Sequence, residues 1–385
     1  MRRLAEITGM RGLAALLVVG FHAVAFYASQ GPGWPPGWLA TILSFGWIGV
    51  DFFFVLSGFL LSLPLIRNPR QSREPGFWRN YLAKRWLRIA LPYYASILLA
   101  LALAGNLGYL QTGWTDVLAH AFYVHNFTQA SYFSIVGVYW TLAVEFQFYL
   151  LLPFFVIPFT TRHWKGAVVA SFVMSMAWLG FIFAPGEVVR TTWLAGNLLG
   201  FIGHFALGIA LARVYTERPR LSLPSGLVGA TGAVGFVFIP LMISQGPHAW
   251  HWVPDLGTTM LVRNTVAVGC GLVLLAALQA GSVLQRTFSS RPAVALGEMS
   301  YSIYLVHIPI LELLIHKAPH VMDAGFSAFV ALYGALSLAA SAVFYFLVER
   351  PGLAFKDWAT SRSRRQPTAP AAPLMAAPER APQPG

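Results

Sequence analysis

Long apolar stretches separated by short polar segments follow one another along almost the whole 385-residue chain. About ten of them are long enough to cross roughly 30 Å of hydrocarbon as a helix. The apolar runs are nearly continuous and do not alternate with polar residues, which disfavours the strands of a membrane β-barrel. The pattern predicts an all-α, polytopic membrane bundle with spans near 12–29, 43–66, 87–105, 136–159, 166–184, 194–213, 226–243, 261–280, 298–316 and 326–348.

The basic residues predict the orientation of this bundle. With the N-terminus in the cytoplasm and the loops alternating, the outer segments hold only three of the 26 Lys and Arg residues, namely Arg190, Arg263 and Lys317. Membrane proteins concentrate Lys and Arg in cytoplasmic loops. We therefore expect ten spans with both termini in the cytoplasm. The first 29 residues also have the basic start and apolar run of a signal peptide, but the many further spans favour an uncleaved first helix.

The composition agrees with a membrane protein and excludes an ordinary soluble domain. Hydrophobic residues make up 57% of the chain and charged residues only 10%, against about 25% charged residues in soluble domains. The net charge of +12 does not indicate nucleic-acid binding, because the basic residues flank apolar segments instead of forming one face. The single cysteine, Cys270, forms neither an intrachain disulfide nor a metal site alone. It is better explained as a small buried residue than as an acyl-carrying thiol.

Two loops and the tail stand out between and after the spans. The first cytoplasmic loop, "IRNPRQSREPGFWRNYLAKRWLR", carries many arginines. Their task is topology, contact with anionic lipid, or binding of an anionic ligand. The outer loop 106–135 contains "VLAHAFYVHNF", which predicts a short interfacial helix. Residues 1–358 are expected to form one membrane domain, and the Pro- and Ala-rich residues 359–385 a disordered cytoplasmic tail.

Several ionisable residues fall inside the predicted spans. Arg11 and His22 are eleven residues apart, so they share a helix face about 16 Å apart along the axis. Asp51, Glu145, His204 and His307 fall at a depth similar to that of His22. Ionisable groups within a bilayer are costly and usually face a cavity or one another, so these side chains are candidates for a common site.

Each of these residues also has a purely structural explanation. A midplane histidine can serve only to hydrogen-bond a neighbouring helix, and a buried carboxylate can serve only to fix helix packing. For His22 the functional explanation is favoured, since it shares its helix face with Arg11 and acidic residues at the same depth can orient it.

The order of the polar motifs resembles acyltransferase family 3, a family of membrane-bound, acyl-CoA-dependent O-acyltransferases. The resemblance covers roughly residues 5–358. It is carried by the Arg11-x10-His22 pair, "GVDFFFVLSGFLLS", Arg85-x-x-Arg88, "WTLAVEFQFYLLLP", "SYSIYLVH" and a closing "VERPG". The resemblance implies a ten-helix fold with both ends inside, in agreement with the span count.

The resemblance also implies a reaction. An acyl group, often acetyl, passes from cytoplasmic acyl-CoA to a hydroxyl, commonly on a sugar. By motif, Arg11 and His22 are the essential pair, and Arg85 and Arg88 belong to the donor site. No tightly bound cofactor or metal is expected; the partners are acyl-CoA, the hydroxyl-bearing acceptor and the lipid bilayer.

Acid–base chemistry suggests roles for the remaining polar residues. His22 can take the proton from the attacking hydroxyl, and a buried carboxylate, Asp51 or Glu145, can fix its tautomer. We favour Asp51, because a short loop joins the first two spans and close packing at Ser57 and Gly58 would bring those spans together.

The acceptor is either a surface glycan or a glycosylated natural product such as a macrolide antibiotic. The small size, the absence of an extracellular domain and a composition typical of a GC-rich bacterial genome favour the second slightly, in a bacterial plasma membrane. The competing hypotheses are a transporter or flippase of an acylated or sugar-bearing lipid, and a proton-coupled exporter with His22 and Asp51 as the relay. Binding of acyl-CoA and release of free CoA separate the enzyme from both.

Overall fold

The computed structural model describes residues 4–31, 33–107, 112–183, 193–217, 224–235 and 256–362, and within them the chain is helical with no strand. This confirms the all-α prediction. The helices are α1 Ala5–Gln30, α2 Trp38–Ser44, α3 Ile48–Arg67, α4 Phe77–Leu107, α5 Trp114–Ala121, α6 Gln129–Tyr132, α7 Trp140–Phe155, α8 Trp164–Phe183, α9 Leu198–Glu217, α10 Ser225–Ala233, α11 Leu256–Ala277, α12 Val283–Phe288, α13 Arg291–Glu298, α14 Ser300–Lys317, α15 Phe326–Phe344 and α16 Arg350–Arg362.

The number of helices able to cross a membrane is lower than the sequence predicts. Six spans within the described ranges are long and apolar enough, or seven if the bent pair α13–α14 counts as one span. Two more apolar helices are shorter, namely Trp140–Phe155 and Val262–Ala277. The predicted span 226–243 and the predicted tail 359–385 lie partly outside the described residues. Ten spans and cytoplasmic termini therefore stay predictions.

The first two long helices, α1 and α3, lie antiparallel and in close contact. A Cβ added at Gly46 would come within 1.8 Å of the Leu17 carbonyl oxygen, and one at Gly49 within 2.4 Å of the Ala14 oxygen. The start of α1, the end of α3 and the start of α4 therefore share one end of the bundle, which we name the basic end. The end that carries Gln30 and Trp38 is named the loop end.

Glycines also bring α3 against α9, on another side. A Cβ at Gly58 would lie 2.3 Å from the Phe205 carbonyl oxygen, and one at Gly208 would lie 2.2 Å from the Val55 oxygen. Small residues of this kind allow helix backbones in a membrane to approach closely. The expectation that Gly58 packs α3 against α1 is therefore wrong, since Gly46 and Gly49 make that contact.

We expect Gly208→Ala to destabilise the protein by roughly 1–3 kcal/mol, the usual cost of an extra methyl in a packed core. Gly334→Ala in α15 is the matched control, because a Cβ there meets nothing within 4 Å. It should be neutral or stabilising, as alanine is the better helix former. Thermal unfolding of the two variants in detergent measures both effects, and equal melting temperatures would contradict the close α3–α9 packing.

The apolar core consists of two clusters that meet at α1 and α3. One joins these helices to α4, α7, α14 and α15, and the other joins them to α9 and α11. Polar side chains on different faces of α3 therefore contact different helices of the bundle.

Two irregularities shape the helix that faces α1 and α4. Helices α13 and α14 meet at a bend of 65°. A π-helical turn, Tyr345–Glu349, follows α15. Oε2 of the buried Glu349 accepts hydrogen bonds from the backbone N–H of Ser302 at 3.1 Å and from its Oγ at 2.5 Å. This pairing fixes the start of α14.

Candidate functional site

A cavity of about 100 Å³ lies between α1, α3, α4, α7 and α14. Three arginines from the basic half of the bundle, Arg11, Arg85 and Arg88, line it together with Ser57 and Glu145. The remaining lining residues are Val50, Phe53, Phe54, Leu56, Leu60, Leu61, Ile89, Thr141, Leu142, Tyr149, Ser300, Tyr301 and Tyr304. Four of the six residues chosen from sequence thus share one cavity.

A hydroxyl–carboxylate pair stands in the wall of this cavity. Ser57 Oγ donates a hydrogen bond of 2.7 Å to Oε1 of Glu145, linking α3 to α7. Arg11 lies within electrostatic reach of Glu145, Glu349 and Arg88. The cavity therefore combines arginines, which suit phosphate groups, with a hydroxyl already hydrogen-bonded to a base.

His22 does not line the cavity but lies beyond it, towards the loop end. Its ring centroid is 5.1 Å from that of His307 in α14. The His307 ring is in turn 5.7 Å from the ring of Tyr304, which does line the cavity. Tyr304 therefore adjoins both the cavity and the histidine pair.

Backbone carbonyls fix the tautomers of both histidines. Nδ1 of His22 is 2.8 Å from the Val18 carbonyl oxygen, and Nδ1 of His307 is 2.8 Å from the Tyr304 oxygen. A carbonyl oxygen only accepts hydrogen bonds, so each Nδ1 carries the proton. Each neutral ring then keeps the Nε2 lone pair that a general base needs.

Asp51 does not orient His22, contrary to the sequence-based preference. Its Oδ1 lies 2.8 Å from Nε2 of His204 in α9, and both side chains are almost fully buried. The buried guanidinium of Arg263 lies within electrostatic reach of Asp51. The reason is helical phase: Asp51 and Ser57 are six residues apart and so point about 120° apart around α3. Asp51 therefore meets α9, while Ser57 meets the cavity.

Glu145, the alternative acid, accepts a hydrogen bond from Ser57. Nδ1 of His22 is hydrogen-bonded to a backbone carbonyl of its own helix. The tautomer of His22 thus depends on the Val18 carbonyl. The catalytic roles of Asp51 and Glu145 are not tested by these contacts.

The loop end carries a second histidine pair that is separate from the cavity. The rings of His120 and His125 stack with centroids 3.8 Å apart, and both residues are fully buried. Burial, reinforced by the neighbouring His120, lowers the pKa of His125 to about 3; burial also lowers the pKa of His120. Both rings are neutral at physiological pH, and they pack the segment that follows α5, the short helix predicted for this loop.

Two further expectations concern metals and Cys270. No group of three or more His, Cys, Asp or Glu side chains in the described part of the chain is arranged to hold a metal ion. Cys270 is fully buried in the cluster that joins α3 to α11, and it does not line the cavity. This agrees with the interpretation of Cys270 as a packing residue.

No chemical role was predicted from the sequence for Ser57, Tyr304, His307 or Glu349. All four lie within the motifs quoted above, and Ser57 was considered only for helix packing. Their position inside those motifs was the one sequence feature that could have pointed to them. Their partners lie on other helices; Ser57 and Glu145, for example, are 88 residues apart in sequence.

Comparison with known families decides the classification. The family described as "Acyltransferase domain" matches residues 4–346, nearly the whole described membrane part. The chain belongs to this acyltransferase family. The match confirms the resemblance to acyltransferase family 3 that the motifs carried. The chain thus combines this domain with helices that are long and apolar enough to cross a membrane.

Individual relatives are more distant and longer. The chain is 27% identical over 328 residues to the Peptidoglycan O-acetyltransferase OatA of Listeria monocytogenes, covering 80% of this chain and 49% of that protein. It is 26% identical over 337 residues to the O-acetyltransferase OatA of Staphylococcus aureus, covering 80% of this chain and 51% of the relative. The chain thus spans about half the length of these curated relatives. No solved structure matches it.

Proposed function

We propose that this protein is a membrane O-acyltransferase that moves an acetyl or similarly short acyl group from acyl-CoA to a hydroxyl of a cell-wall or cell-surface glycan. The observation that carries the proposal is the single cavity that holds Arg11, Arg85 and Arg88 beside the Ser57–Glu145 pair. It combines groups suited to an anionic donor with groups suited to proton transfer.

The donor enters from the basic end, which we assign to the cytoplasmic side. CoA carries phosphates, and guanidinium groups bind phosphate oxygens with two parallel hydrogen bonds. Arg85 and Arg88 are three residues apart on α4, so they lie on neighbouring turns of one face. Both are only partly exposed, in contrast to the exposed Arg79 on the same helix.

The acceptor arrives from the loop end. The histidine pair His22–His307 lies on that side of Tyr304, where a base can take the proton of an incoming hydroxyl. The name of the Listeria monocytogenes relative includes peptidoglycan, which favours a glycan acceptor. We therefore propose a glycan acceptor over the macrolide considered from composition.

A lipid transporter is the second candidate considered from the sequence. It would use buried polar residues at the same depth, but it has no need of three arginines around a serine–carboxylate pair. Purified protein in nanodiscs, incubated with acetyl-CoA and fragments of cell-wall glycan, tests the choice. Release of free CoA together with an acetylated glycan supports the enzyme; acetyl-CoA left intact with every acceptor contradicts it.

We expect Arg85→Ala and Arg88→Ala each to weaken acetyl-CoA binding roughly 10- to 100-fold, because each removes a charge-assisted hydrogen bond. Lysine in place of arginine should rescue binding only in part, since it keeps the charge but loses the planar fork. Isothermal titration with a non-hydrolysable acetyl-CoA analogue measures the affinities.

Arg79→Ala is the matched control for these two variants, as it removes an exposed arginine from the same helix. Its affinity should equal that of the unmodified protein. If all three alanine variants bind the analogue equally well, the arginines of this segment serve topology alone.

A further inference from the structure

The Ser57–Glu145 pair has the geometry of an activated nucleophile. The Ser57 hydroxyl donates a hydrogen bond of 2.7 Å to the Glu145 carboxylate, a distance at which a base can remove the proton during attack. Both residues line the cavity. A serine placed in this way keeps its oxygen lone pairs for a carbonyl carbon that enters the cavity.

Other buried serines of the described chain lack this combination. Ser62, five residues further along α3, donates a hydrogen bond to the Gly58 carbonyl oxygen at 2.7 Å and is fully buried. Ser302 does bond a carboxylate, that of Glu349, but it is fully buried and does not line the cavity. Ser57 combines a carboxylate partner with access to the cavity.

We propose that Ser57 is a covalent relay that carries the acyl group between donor and acceptor. This inference rests on the proposed function, because it requires acyl-CoA as the donor. The alternative is direct transfer from CoA to the acceptor, so the experiment tests whether an acyl-Ser57 intermediate forms.

The first half-reaction forms an ester on Ser57. The Oγ of Ser57 attacks the thioester carbonyl while Glu145 takes the hydroxyl proton. The C–S bond then breaks, and Glu145 returns the proton to the departing thiolate, giving acyl-Ser57 and free CoA. Arg11 lines the same cavity, where a guanidinium can stabilise the oxyanion that develops.

The second half-reaction transfers the acyl group from Ser57 to the acceptor. The acceptor hydroxyl attacks the acyl-Ser57 carbonyl, and its proton passes to a base on the loop side. As the C–Oγ bond breaks, that base returns the proton to Oγ, so that the base, the Ser57 hydroxyl and the neighbouring carboxylate all regain their starting states. No oxidant, reductant or further co-reactant is needed.

A relay of this kind separates the two substrates in time. CoA can leave through the basic end before the glycan reaches the loop end, so the cavity of about 100 Å³ never has to hold both. The kinetic signature is exchange between free CoA and acetyl-CoA in the absence of acceptor, which direct transfer does not produce.

The test uses the full chain in nanodiscs with acetyl-CoA labelled in the acetyl group. Without acceptor, rapid acid quenching should trap label on the protein, and peptide mapping should place the acetyl group on Ser57. Labelled CoA should enter the acetyl-CoA pool, and added glycan should discharge the trapped acetyl group.

Ser57→Ala should lose both the trapped label and the exchange, the latter by roughly 100-fold or more. Ser62→Ala is the matched control and should keep both, since Ser62 lies outside the cavity. The mapping on unmodified protein needs no variant, so it decides the matter even if Ser57→Ala fails to fold.

The outcomes separate the relay from the function on which it rests. Acetyl transfer to glycan without trapped label or exchange overturns the relay and leaves the proposed function intact. Label on another residue, or full exchange in Ser57→Ala, also overturns the relay. No reaction with acetyl-CoA at all overturns the proposed function and the relay together.

Discussion

Replacing His22 by alanine is expected to lower acyl transfer to the acceptor roughly 10²- to 10⁴-fold, the usual cost of losing a general base. The Val18 carbonyl oxygen, 2.8 Å away, holds the proton on Nδ1 of His22. This leaves Nε2 free to accept the proton of the acceptor hydroxyl. Folding should be little affected, because alanine is a good helix former.

Acetylated glycan, measured by chromatography after reaction with acetyl-CoA, reports this loss. His316→Ala is the matched control, since His316 has the same Nδ1 contact at 2.8 Å with a carbonyl oxygen four residues earlier, that of Glu312, but it lies near the exposed end of α14. If His22→Ala keeps more than about a tenth of the wild-type turnover, His22 is not the base.

The second large effect is expected for Glu145→Gln, which should lower consumption of acetyl-CoA by roughly 10²- to 10⁴-fold. The glutamine carbonyl oxygen can still accept the hydrogen bond from Ser57 Oγ, so the contact between α3 and α7 is preserved. An amide cannot take up the proton, however, and the hydroxyl is no longer activated. The hydrogen bond to Ser57 therefore predicts an effect of this change on the chemical step.

Release of the CoA thiol, followed with a thiol reagent, measures this change, and the melting temperature checks the fold. Glu312→Gln serves as the control, because that carboxylate lies 3.7 Å from His316, outside the cavity. A Glu145→Gln variant that releases CoA at the wild-type rate would show that Ser57 is activated in another way or not at all.

The sequence predicted the class of fold well because its signal is local. Apolar runs define helices, and motif order indicated the acyltransferase family that residues 4–346 then confirmed. The number of spans is harder to predict, because a local signal does not define where each helix ends. Helices such as α7 and α11 combine short apolar stretches with flanking turns, and hydropathy alone does not tell where such a helix stops.

The site was predicted in part, and the failures have one cause. Arg11, Arg85, Arg88 and Glu145 do share a cavity. Depth along a helix, which the sequence supplies, placed Asp51 near His22. The rotation of α3 about its own axis, which depends on its glycine contacts with α1 and α9, instead directs Asp51 to His204. Neither the Ser57–Glu145 bond nor the His22–His307 pair can be read from one helix alone.

The order of arginines, serine–carboxylate pair and histidine pair between the basic end and the loop end has an energetic consequence. In the proposed cycle the acyl group moves outward as the equivalent of one positive charge. One proton moves inward in exchange: the Ser57 proton passes to the CoA sulfur, and the acceptor's proton then replaces it on Ser57. The membrane potential acts on each displaced charge with about 2.3 kcal/mol per 100 mV, but the two displacements cancel. Acyl export by this route is therefore electroneutral and independent of the membrane potential. Its driving force is the difference in free energy between a thioester and an oxygen ester.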